Sequence, residues 1–207
     1  MYYFGVYLNP APSMPSAYAL IDKQLKNLKK EYRILDLNEF PSSATLSEVE
    51  EKIIAIYNDR ALLTIKKRFS QDRRPSKKVA VFPTIVCGVE EAAGNPFAET
   101  RKKEIPVERL IFSNAPEEEP AKRELTLGAD TYVPREAVFQ AYLTVVSQGR
   151  LQGAREFLGA SFPDQALGPV PAQSDGKAME HIPAFPCLMA LSAPLWFAET
   201  VRKISRY

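Results

Sequence analysis

One histidine, two cysteines and nine glycines among 207 residues exclude several chemistries at the outset. His181 has no second imidazole anywhere in the chain, and Cys87 and Cys187 stand far apart with nothing resembling CxxC. A structural zinc site or a Cys–His nucleophile pair needs more partners than this. Two reduced thiols used for packing are expected instead. Walker, GxGxxG, GxSxG and HExxH motifs are all lacking, so no catalytic, cofactor-binding or metal-binding residue is assigned and no cofactor is expected. Charge of one sign is lacking too: 27 basic against 25 acidic residues leave +2, which argues for neither nucleic acid nor membrane. The longest mostly apolar stretch, Ala184 to Ala198, is broken by Pro186 and Pro194 and is too short to span a bilayer. "MYYFGVYLNP" has no basic segment before an apolar core and is not read as a signal peptide. A soluble, cytoplasmic protein is the expectation.

What is there alternates between β-type runs and helical patterns. "YYFGVYL" reads as a strand, and "SAYALIDKQLKNLKK" places Ala17, Leu20, Ile21, Leu25 and Leu28 at helical spacing. "YRILDL" is a second strand, followed by a long helix whose stripe is Leu46, Val49, Ile53, Ile56 and Tyr57. "VAVFPTIV" (79–86) reads as a parallel strand covered on both faces, although Pro83 cannot donate to a ladder. A short helix near 96–103, a strand at 107–113, a helix at 116–127, the strand "ADTYV" and a helix at 135–148 complete the pattern.

Five βα units imply an α/β fold: a three-layer, doubly wound, parallel five-stranded sheet of order 2-1-3-4-5, flavodoxin- or receiver-like. It spans residues 1–148. Residues 149–207 form an extension, rich in Gly and Pro at first and ending in a helix.

Residues 109–142 resemble the C-terminal half of a response-regulator receiver domain. A strand ends at Ser113, Gly128-Ala129-Asp130 follows, Tyr132 stands at the aromatic switch position, and Arg135 replaces the family's lysine. The resemblance implies a phosphoacceptor aspartate at the end of strand three and an acidic pair after strand one holding magnesium. Residues 77–89 and 1–21 contain no carboxylate, so the resemblance is to a degenerate pseudo-receiver.

In that reading Ser113, Tyr132 and Arg135 are the remnant site. An arginine at a helix start opposes the dipole and favours a nearby anion. The interaction surface would include Lys122, Arg123, Tyr132 and Tyr142. A basic loop of Lys66, Lys67, Arg68, Arg73, Arg74, Lys77 and Lys78 offers weaker support for nucleic acid. The expected function is a non-catalytic signalling or regulatory module working through protein–protein contact, with a protein partner or a homodimer and no aspartyl phosphorylation. The alternatives are an α/β enzyme or small-ligand or anion binder using the strand-end crevice, around Ser113, Arg135 and Asp36, and a nucleic-acid-associated protein.

Overall fold

The computed structural model describes residues 1–10, 15–71, 83–89, 97–113, 125–126, 130–153, 185–200 and 204–205, without the side chains of 60–71, 113, 125–126 and 204–205. The fold is α/β, built on a seven-stranded mixed sheet. Three strands open it: β1 (Tyr2–Tyr7), β2 (Ala17–Lys26) and β3 (Lys29–Glu39), each antiparallel to the one before. Helix α1 (Leu46–Gln71) crosses over to β4 (Thr84–Cys87), which pairs parallel with β1. Then come α2 (Ala98–Lys102), β5 (Val107–Ser113), β6 (Leu125–Thr126), β7 (Asp130–Pro134) and α3 (Arg135–Ser147). β8 (Leu151–Gln152), α4 (Phe185–Thr200) and β9 (Ile204–Ser205) close the element order. The large sheet runs β7-β5-β4-β1-β2-β3-β8, and β6 pairs with β9 apart from it.

The expected all-parallel order 2-1-3-4-5 is therefore corrected. β2 is a strand where helical spacing predicts a helix. Ala17 to Ile21 are buried without a break, so this central strand lacks the alternation of a half-exposed one. Its turn carries Asn27 and Leu28 at φ 50° and 64°, the left-handed pair of a two-residue hairpin, but with Leu where Gly usually signals it. A bulge at Leu35 shifts the register from Ile21↔Ile34 to Leu20↔Asp36.

Pro83 lies just outside β4, where its carbonyl accepts from Phe4 N–H at 3.1 Å and its missing donor interrupts nothing. The helix expected at 116–127 does not include Leu125 and Thr126, which pair with Ile204 and Ser205. Its earlier residues lie outside the described ones.

Two apolar layers flank the sheet. Phe4, Val6, Tyr18, Leu20 and Val86 pack with Val49 and Ile53 of α1 and with Phe97 and Ile105 around α2. On the other face, Tyr3, Tyr7, Ala19, Ile21, Ile85 and Leu110 meet α3 and α4. Every residue of α4 from Phe185 to Ala198 is buried, and α4 shares one core with the sheet. It lies antiparallel to β1, with Phe185 against Tyr7 and Phe197 against Tyr3. Gly5 permits this approach, because a Cβ there would stand 2.0 Å from the Ala190 carbonyl oxygen. That carbonyl is the one Pro194 leaves without its i+4 helical donor.

Candidate functional site

Strands β1, β3, β4, β5 and β7 run in one direction, so their carboxyl ends share one edge of the sheet. The chain leaves β1 towards β2 and leaves β4 towards β5, on opposite sides. The β1–β2 connection is an antiparallel hairpin, whereas β4 leads through α2 to its parallel neighbour β5. Gly88, at φ 76°, lets the end of β4 approach β1 there; a Cβ would stand 2.3 Å from the Leu8 carbonyl oxygen.

Ser113 and Arg135 lie at this same edge, because Ser113 pairs with Pro134 in the parallel β5–β7 ladder. The Ser113 side chain is outside the described set. Arg135 opens α3, and its guanidinium carbon sits 5.2 Å from the Phe112 ring centroid and 5.9 Å from that of Phe185. The cation is thus held between aromatic faces from β5 and α4, an arrangement that orients it at little entropic cost. Neither phenylalanine stands out in the sequence as a site residue, since ring stacking leaves no motif.

Tyr132 points to the opposite face from Val133 and is 50% exposed on the edge strand β7. It is not gathered with Arg135. Tyr142 is buried and stacked on Phe139 in the α3 layer, which corrects its assignment to an interaction surface. Helical spacing places it on the apolar face of α3, and that face packs inward. Lys122 and Arg123 lie outside the described residues. Of the basic stretch, Lys66, Lys67 and Arg68 belong to α1 rather than to a loop; Arg73, Arg74, Lys77 and Lys78 lie outside the described residues. Asp36 stands away from Arg135, on the α1 face near Tyr18, whose pKa is raised first by burial and then by the Asp36 charge, with Lys52 Nζ 5.0 Å from its ring centroid.

The thiols are inert near neutral pH. Cys87 is fully buried, its Sγ 3.7 Å from the Met189 carbonyl oxygen, and burial drives its pKa far above the ordinary thiol value despite the nearby Arg135 charge. Burial, with Glu39 adding to it, pushes Cys187 up to about 12. Both cysteines are free. Among the described residues no three His, Cys, Asp or Glu side chains converge as a metal site would.

A second polar cluster lies at the opposite, amino edge. Glu199 accepts from the Tyr32 hydroxyl and from Arg150 at 3.1 and 3.3 Å, and Lys30 stands 3.7 Å away. Lys23 donates to the Ala198 carbonyl at 3.2 Å, placing positive charge at the C-terminus of α4. Burial alone would raise the Glu199 pKa, but the Arg150 and Tyr32 hydrogen bonds and the Lys30 charge hold it below the usual carboxylate range. Sequence spacing gives no hint of this cluster, because its members come from β3, α4 and the β8 approach. It clamps the end of α4 to the sheet.

Comparison with protein-family models, curated proteins and solved structures finds no match to this chain.

Proposed function

We propose that the chain is a non-catalytic regulatory module that meets a protein partner along the outer edge of β7, with Tyr132 at the centre of the contact. One observation supports this reading. Among the described residues, Tyr132 carries the most exposed aromatic ring, and it stands on an edge strand. Tyrosine supplies a large contact area at low entropic cost, and an edge strand offers backbone groups to an incoming segment. A photo-crosslinking phenylalanine analogue at position 132 should give one discrete protein adduct in cells, and the same group at exposed Leu46 should give none. Equal labelling at both positions, or none at 132, refutes the proposal.

The stacked Arg135 favours a second reading, a small-anion binder at the strand-end crevice. A saturable thermal shift with inorganic phosphate that Arg135→Ala removes would select it over the first.

A further inference from the structure

The β2–β3 hairpin runs past both of its neighbours. β1 pairs with β2 only as far as Asp22, and β8 meets β3 only at Tyr32 and Arg33. Residues 24–31 therefore extend past these ladders as a two-stranded ribbon, rising roughly 10 Å at the usual strand repeat, with Lys30 and Glu31 at its base still reaching Ala198 at 3.5 Å and Gln152 at 3.4 Å.

Its tip departs from ordinary hairpin chemistry in three ways. Leu28 occupies a left-handed turn position that favours glycine, at φ 64°, and is 92% exposed. Leu25 is 71% exposed. Lys26 and Lys29 face each other directly across the strands, where like charges repel, and only Lys26 has an acid in reach, Glu31 at 4.0 Å. Strain, apolar exposure and repulsion at one tip each disfavour the isolated protein, and one kind of surface would relieve the last two together.

We infer that this tip docks on an anionic lipid surface, with Leu25 and Leu28 entering the headgroup–acyl boundary and Lys26 and Lys29 pairing with lipid phosphates. The tip is convex, so it suits a yielding interface. Between Gln24 and Glu31 it carries three lysines, Lys26, Lys29 and Lys30, against Glu31 alone, and with Lys30 turned towards Glu199 it is Lys26 and Lys29 that complement an anionic leaflet. It offers no aromatic ring on which a nucleic-acid base could stack.

The test is sedimentation of the full chain with vesicles of phosphatidylcholine alone or with phosphatidylglycerol. Binding should require the anionic lipid and fall with salt. Leu28→Gly should lower partitioning by about tenfold, as expected for withdrawing one buried leucine from the interface. The same variant should melt at or above the wild-type temperature, because Asn-Gly relieves the turn. The pair Lys26→Glu and Lys29→Glu should abolish binding. Equal affinity for neutral vesicles, binding that survives Leu28→Gly, or no binding to any vesicle overturns the proposal. So does retention of RNA that depends on the lysines and ignores Leu28.

Discussion

Helices α4 and α1 cover opposite faces of one sheet in opposite styles. Fourteen consecutive residues of α4 are buried, including Ser192, whose hydroxyl turns back to the Leu188 carbonyl at 2.5 Å. Between 46 and 59, α1 buries only Val49, Glu50 and Ile53. Even its buried carboxylate is used locally, accepting from Thr100 N–H at 2.7 Å to seat α2. Over residues 46–59 the α1 helix is a cover with one dry stripe, whereas α4 is a core element.

The sharpest test of this contrast is Gly5→Ala. Its new methyl would meet the Ala190 carbonyl at 2.0 Å and Pro194 Cδ at 2.6 Å, both backbone or ring atoms that cannot swing aside. A loss of more than about 3 kcal/mol in urea denaturation is expected. Gly149→Ala meets nothing within 4 Å and bears only a φ of 64°, so about 1 kcal/mol is expected there. Equal losses would mean that α4 does not press on β1.

Truncating the two helices should separate them next. Leu191→Ala should cost about 3–5 kcal/mol and Ile53→Ala about 2–3, the rigid two-sided site being less able to collapse than the one-sided one. If Ile53→Ala proves the more damaging, the comparison is reversed.

The clamp on α4 gives a smaller, pH-dependent effect. Glu199→Gln should cost about 1–3 kcal/mol at pH 7. Because the folded pKa of Glu199 is depressed, its contribution is fully present above the unfolded carboxylate value and is lost as pH falls through the folded one. Wild type and variant should therefore converge in stability below about pH 4. Tyr32 has the opposite sign: burial, then the hydrogen bond to Glu199, raises its pKa. Its contribution is present below about pH 10 and lost as pH rises above that.

The least change is expected at the start of α1. Thr45 and Glu48 form a reciprocal capping box, with Thr45 N–H to Glu48 Oε2 at 2.6 Å and Glu48 N–H to Thr45 Oγ1 at 3.3 Å. Thr45→Ala should lower Tm by about 2–4 °C.

The same contrast explains what the sequence discloses. α1, β5, β7 and α3 are legible because each has one wet side or a bounded apolar run, and their positions in the fold follow the pattern closely. β2 is not legible: Ala17 to Ile21 are dry on both faces, and the polar residues after them fall by chance at helical intervals. The helical spacing of α4 is visible, but nothing local says that it lies on β1, since that contact rests on Gly5, a residue without a side chain. At the candidate site, the shared edge of Ser113 and Arg135 follows from two neighbouring parallel strands. The rings that hold Arg135 come from Phe112 and the distant Phe185, and no local pattern links them.

The seat of α4 on β1 also sets an order in time. Gly5 and its contacts at Ala190 and Pro194 are separated by most of the chain. At roughly 5–20 residues per second, the ribosome needs on the order of 10–35 s to deliver the second after the first. Until then Tyr3, Tyr7 and Ile85 lack the α4 side chains that pack on them in the finished core. The nascent sheet must wait without α4 on that apolar face, which ties completion of the described core to the arrival of that helix.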